Sequence, residues 1–208
     1  MKKIAITFVM LLLAIAAGAV DESPNAKQAR RIFDKAYGQV FGPQGSRFNY
    51  DVNIIHIYKT KGTISLKEKK QRFTDARVDV WNDGETVYKV YRKKKTVEMH
   101  CASSDKKDKY SGKFKFTLDD FTYHIANHKN GLLLTLKQKK HAKGSIKEVK
   151  ALIDCKTLAP ISLKVRVAFI WTTVKISNFE SGNISDETFV FPFSRYEKGY
   201  KWIDKRKE

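Results

Sequence analysis

From Phe48 onward the chain keeps a hydrophobic period of two. Phe48, Tyr50, Val52, Ile54, His56 and Tyr58 alternate with Asn49, Asp51 and Asn53, and Ile161, Leu163, Val165 and Val167 alternate strictly with Ser162, Lys164 and Arg166. Successive side chains of a strand point to opposite faces, so each such run has one apolar and one wet side. The same pattern recurs at Ile64 and Leu66, at Leu132, Leu134 and Leu136 after the turn Asn130-Gly131, at Val149, Ala151 and Ile153, and at Val174 and Ile176. Val78 and Val80 are expected to share a face with Tyr88 and Val90 across the turn Asn82-Asp83-Gly84, and Phe189 and Phe191 to form a late strand. Regular polar exteriors argue against a sheet covered on both faces, and hairpins in succession argue for an antiparallel meander.

One stretch departs from this period. Between Ser23 and Gly42, Ala29, Ile32, Phe33, Ala36 and Val40 recur at helical spacing; Ser23 or Asn25 can cap the start, and Gly42-Pro43 stops the end. A second, short helix is expected near Leu118 to Phe121. The fold class is therefore mostly β with some α: roughly nine or ten strands in one curved antiparallel sheet closing toward a barrel around its apolar face, with an N-terminal helix. Such a sheet has more apolar inner surface than one amphipathic helix covers. Either its own side chains fill the interior or a cavity is left, and periodicity does not distinguish the two.

The first residues, MKKIAITFVMLLLAIAAGAV, combine Lys2 and Lys3 with an uncharged run and the small residues Ala17, Gly18 and Ala19, the pattern of a cleaved export signal over residues 1–19. Residues 20–208 then form one exported domain. The formal charge of +19 includes the two signal lysines, so the mature chain carries 19 − 2 = +17. A field of that sign attracts polyanions or anionic head groups, and export makes nucleic acid the wrong polyanion. Cys101 and Cys155 are the only cysteines. An oxidising compartment permits a disulfide between them, and the sequence leaves joined and separate thiols equally open.

Reaction chemistry is missing from the sequence. There is no GxSxG elbow, P-loop, HExxH or CxxC. His124 and His128 have the spacing of a helical metal pair but sit in YHIANHKNG, which reads as strand into turn, where that spacing does not converge. Asp119-Asp120 and Asp186-Glu187 are adjacent acids, and neighbours in a strand point to opposite faces. No metal, no cofactor and no enzymatic activity are expected.

The succession KGTISLKEKKQRF, VWNDGETVYKVY, GLLLTLKQKK, VKALIDCKTLAPISLKV, ISNFESGNISDETFVFP and WIDKR, from about Ala26 to Arg206, resembles the LolA-like family of periplasmic carriers of outer-membrane lipoproteins, in the variant typical of Bacteroidetes. The resemblance implies a monomeric, half-open antiparallel β-barrel with a short helical lid, whose concave apolar face receives acyl chains. It also implies passage of acylated lipoproteins from an inner-membrane release complex to an outer-membrane acceptor, with anionic lipid as a further possible ligand. Carried over by position, Ile64, Leu66, Phe73, Val78, Val80, Tyr88 and Val90 line the early half of the cavity, and Leu132, Leu134, Leu136, Val149, Ile153, Leu163 and Val165 the later half. Many members have Arg-Pro four residues before the Phe of the third block; here Lys69-Lys70 stands there with Arg72 beside Phe73, and Lys69 and Arg72 are assigned to the rim. A sensor or adaptor that binds lipid or glycolipid, and a plain polyanion-binding module with a filled core, are the alternative readings of the same pattern.

Overall fold

The computed structural model describes residues 23–54, 58–104 and 117–207. The residues read as an export signal and most of the stretch read as a lid lie outside them. Helix α1 (Pro24–Phe41) starts where the sequence places it: Ser23 Oγ accepts the Ala26 N–H at 3.1 Å, and proline occupies the first turn, where its missing N–H costs nothing. It ends at Gly42, whose N–H donates to the Gly38 carbonyl at 2.8 Å.

The strands are β1 (Ser46–Ile54), β2 (Tyr58–Lys67), β3 (Lys70–Asp75), β4 (Val78–Asn82), β5 (Thr86–Tyr91), β6 (Thr96–Cys101), β7 (Phe121–His128), β8 (Gly131–Gln138), β9 (Ile146–Ile153), β10 (Pro160–Val167), β11 (Ile170–Ser181) and β12 (Lys201–Asp204). They form one open sheet in the order β12-β6-β5-β4-β3-β2-β1-β11-β10-β9-β8-β7. Two meanders, β1 to β6 and β7 to β11, are stitched along the β1–β11 pair. The two edges do not meet, so this is a half-open barrel. Register shifts in β1, at Arg47/Asn49, and in β10 add the local kinks by which a wide sheet curls. At Gly62 in β2 an added Cβ would sit 1.9 Å from the Thr74 carbonyl oxygen and 2.6 Å from the Tyr50 hydroxyl, so only glycine admits the Tyr50 ring stacked on Phe73.

Asn25 does not cap α1. Its side-chain amide pairs with the backbone of Ile125 on edge strand β7, donating to the carbonyl at 2.9 Å and accepting the N–H at 3.0 Å. One side chain thus does for this edge what a neighbouring strand would, and ties the helix to the sheet. Asn25→Ala is expected to lower stability by about 1–3 kcal/mol in urea unfolding, because two backbone groups lose their partners, and to speed amide exchange at Ile125. Unchanged exchange there would refute the tie.

Three expectations are corrected. The β4–β5 register pairs Val78 with Tyr91, Val80 with Lys89 and Trp81 with Tyr88. Val78 and Val80 therefore lie on one face, while Tyr88 and Val90 share the other with Asp79 and Trp81. Loop length sets this parity: the ladder closes at Asn82–Val87, with Asp83 Oδ1 accepting the Glu85 and Thr86 N–H groups, and one residue more or less would have reversed every side chain. Phe189 ends a 3-10 turn (Asp186–Phe189) in place of a strand, and Phe191 follows it; both are buried. The last strand, β12, runs parallel to β6, so the sheet is not purely antiparallel. Strands β3, β6 and β12 were not separately legible in the sequence, and the helix expected at Leu118–Phe121 is a single 3-10 turn, Leu118–Asp120.

Cys101 and Cys155 are not joined. Cys101 ends β6, with Sγ 3.1 Å from Ser103 Oγ, and Cys155 is an exposed thiol in the β9–β10 turn. In the sheet order seven strands stand between β6 and β9.

Candidate functional site, an apolar slot under the helix

Alternation fixes what the concave face presents. Phe48, Tyr50 and Val52 of β1, Leu66 of β2, Leu134 and Leu136 of β8, Val149, Ala151 and Ile153 of β9, Leu163 and Val165 of β10, and Val174 and Ile176 of β11 all turn inward by register. Helix α1 lies over this face. Its last turns are held there by Gln39 Nε2 donating to the Thr157 carbonyl at 2.9 Å, by Ser46 Oγ donating to the Val40 carbonyl at 2.8 Å and by Ser181 Oγ donating to the Gln39 carbonyl at 2.9 Å. The Glu68 N–H in the β2–β3 turn closes the helix end by donating to the Phe41 carbonyl at 3.0 Å.

Between helix and sheet a cavity remains. Its volume is about 110 Å³, and it opens outward at a mouth. The hollow is thus a narrow slot, of a cross-section suited to a thin chain more than to a bulky ring. Phe33, Ala36, Tyr37, Val40 and Phe41 of α1 form one wall. Leu66, Phe48 and the inward residues of β8 to β11, with Ile146 and Pro160, form the other. Among the described residues, Tyr37 is the only lining residue with a polar side-chain atom, and burial pushes its phenol above the ordinary value. The lining offers hydrocarbon contact and no acid, base or nucleophile set to act on a bond.

The residues assigned from sequence divide into three groups. Leu66, Leu134, Leu136, Val149, Ile153, Leu163 and Val165 line the slot. Ile64, Phe73, Val78 and Val80 are on the concave face but packed into the core beside it, and Leu132 packs partly buried at the margin. Tyr88 and Val90 are on the convex face, where they meet Trp81, Val97, Phe191 and Tyr196. The helix wall was missed as a wall, although its spacing was legible: Phe33, Ala36 and Val40 of the expected amphipathic stripe form the roof of the site, joined by Tyr37 and Phe41.

Beyond Phe73 and Val80 the same concave face turns polar. Gln71, Lys89 and His100 are buried there, and Glu98 accepts from His100 at 3.3 Å and pairs with Lys205 at 3.4 Å. The hydrogen bond from His100 leads in holding the Glu98 carboxyl down to about 2, against the opposing effect of burial and with help from Lys205. No alternation argument could find this patch, because the polar residues occupy positions the pattern reserves for apolar ones.

The two rim charges separate as well. Lys69 is exposed in the β2–β3 turn near the end of α1. Arg72 is on the convex face: its guanidinium lies 3.6 Å over the Trp81 ring and pairs with Asp79 at 3.2 Å. Burial pushes the Arg72 value down, and pushes Asp79 up, but hydrogen bonds from Thr74 and Arg92 and the charge of Arg72 outweigh burial and hold Asp79 below the usual carboxylate range. The planar fork of Arg72 thus serves the outer layer. His124 and His128 are both exposed on β7, and among the described residues no group of three or more His, Cys, Asp or Glu could hold a metal ion. No helix among them is long and apolar enough to cross a membrane.

No protein-family model and no curated protein sequence matches the chain. Solved structures do match. An uncharacterized conserved protein from Thermus thermophilus is 8% identical, with a TM-score of 0.59 over 86% of this chain and 99% of that one. A putative outer membrane lipoprotein-sorting protein domain from Vibrio parahaemolyticus is 8% identical, with a TM-score of 0.45 over 84% and 100%. A LolA superfamily protein from Nitrosomonas europaea is 9% identical, with a TM-score of 0.40 over 79% and 98%. At such identities likeness speaks for the fold alone, and it is the superposition on the Thermus protein, at 0.59, that identifies this chain's half-open sheet as a fold shared with known structures.

Proposed function

We propose that the mature chain, residues 20–208, is a monomeric periplasmic carrier of the LolA-like kind that holds the acyl chains of lipoproteins in the slot under α1 and moves them from an inner-membrane release complex toward an outer-membrane acceptor. The observation that carries this reading is the slot itself: a narrow hollow, open at its mouth, whose lining has one polar side-chain atom. Protein interiors are ordinarily filled, and an apolar hollow left open between helix and sheet forfeits contact energy unless something enters it. A chain of about sixteen carbons, at roughly 0.8 kcal/mol per methylene, gains on the order of 12 kcal/mol on entering, before ordering costs. Basic residues outside the slot, Lys69 among them, suit an anionic head group or an acidic partner surface.

Native mass spectrometry of protein purified from the periplasm tests this. A co-purifying triacylated peptide is the expected mass. Free phospholipid or glycolipid in its place would shift the reading to a lipid sensor of the same fold, and an empty protein that takes up no fatty acid would end both.

A further inference from the structure

We propose that the β10–β11 hairpin tip is a membrane-docking element for a bilayer carrying anionic head groups. Phe169 at the tip is 86% exposed and Ile170 beside it 39%. The turn is held, not loose: Ala168 takes a left-handed φ of 53°, and its N–H donates to the Ser145 carbonyl at 3.3 Å. That hydrogen bond sets the β8–β9 loop alongside the tip. Residues 137–147, KQKKHAKGSIK, contain five lysines, a histidine and no acid.

On the convex side Trp171 continues the apolar surface, with Lys150 Nζ 5.3 Å and the Arg166 guanidinium 5.7 Å from its ring. Of the carboxylates on neighbouring elements, Glu148 is paired with Arg166 at 3.0 Å and Lys150 at 3.4 Å, and Asp119 with Arg30 at 3.1 Å, while Asp120, whose carbonyl accepts the Lys139 N–H at 2.8 Å, also flanks the loop. An apolar point flanked by cations and an indole matches the two layers of a bilayer face: hydrocarbon receives the phenyl ring, and anionic head groups receive the lysines. A soluble partner would have to supply both layers in the same order. Val167, at the base of the tip, packs on the same apolar cluster as Leu136, Val149 and Val165, so docking sets one end of the slot against the membrane surface.

This goes beyond acyl carriage, since an empty slot does not prevent docking. Flotation of the mature chain with phosphatidylcholine vesicles, with and without phosphatidylglycerol, tests it. The chain is expected to float only with phosphatidylglycerol and less as salt is added, with a blue shift in tryptophan emission. Phe169→Ser with Ile170→Ser is expected to weaken binding about tenfold or more, because both side chains are exposed and their loss spares the core. Lys140→Gln and Lys143→Gln together are expected to weaken it and flatten its salt dependence. Uptake of a dissolved fatty-acid probe should be the same in all of them, which separates failure at the tip from failure of the slot. Full flotation of the Phe169 and Ile170 variant, no flotation of the parent chain, or a dimer abolished by that variant without vesicle binding would each overturn the proposal.

Discussion

Ala36→Phe is expected to abolish high-affinity fatty-acid binding while leaving the protein folded. Ala36 is on the inward stripe of α1 and lines the slot, with 8% of its surface exposed. A phenyl ring there occupies space that a guest chain would use, in a hollow already narrow. Excluding about four methylenes at roughly 0.8 kcal/mol each removes about 3 kcal/mol, a loss of affinity of roughly 100-fold or more. The folded state should tolerate the change, since the ring enters space that is empty in the parent; overpacking costs typically about 1–3 kcal/mol even where space is short. Titration with a fluorescent fatty acid, beside thermal unfolding of the same sample, measures both. Unchanged affinity would show that the slot is not where the chain goes.

Trp81→Ala should do the reverse: cost much stability and leave acyl binding intact in the protein that remains folded. Trp81 is 4% exposed, on the face of β4 turned away from the slot, edge-on to Phe191 at 5.1 Å and to Tyr196 at 5.8 Å. Phe191 also stacks on Tyr88 at 4.4 Å, so the C-terminal segment is fastened to the sheet through a continuous set of rings. Truncation of a buried Trp or Phe costs typically about 3–5 kcal/mol. Here the loss also uncovers the guanidinium of Arg72, which now stacks on the indole. Urea unfolding with an unchanged slope would read the loss directly. A fall of less than about 1 kcal/mol would mean that the convex layer is a covering and not part of the cooperative core.

The two predictions differ because this sheet is buried on both faces over β4 and β5, which the strand pattern did not foretell. In β8 to β11 the inward face is apolar and the outer face more polar, and there the alternation of Leu134 and Leu136 with Thr135 and Lys137, or of Leu163 and Val165 with Lys164 and Arg166, led to the right wall. In β4 and β5 apolar residues stand at both parities: Val78 and Val80 on one side, Trp81, Tyr88 and Val90 on the other. An alternating rule applied to such strands must choose a face, and it chose by assuming a loop of odd length. Arg72 misled for a related reason. A charged residue beside an apolar strand position reads as rim, and only the indole beneath it and the Asp79 carboxylate beside it make a buried place for that charge.

The sequence by itself determined the class of structure and half of the site: a single amphipathic helix, long runs of strand, a basic exterior, and an inward set in β8 to β11 that needed no partner to identify it. These are local properties, set by side-chain period and by turn residues within a few positions of each strand. Tertiary structure alone decided the parity of the β4–β5 hairpin, the reach of Asn25 across 100 residues to the β7 edge, and the use of the C-terminal aromatic segment as a second layer. It also decided that helix and sheet stand far enough apart to leave a slot. That last quantity is a difference between volumes contributed by residues remote in sequence, and no periodicity within any one of them carries it.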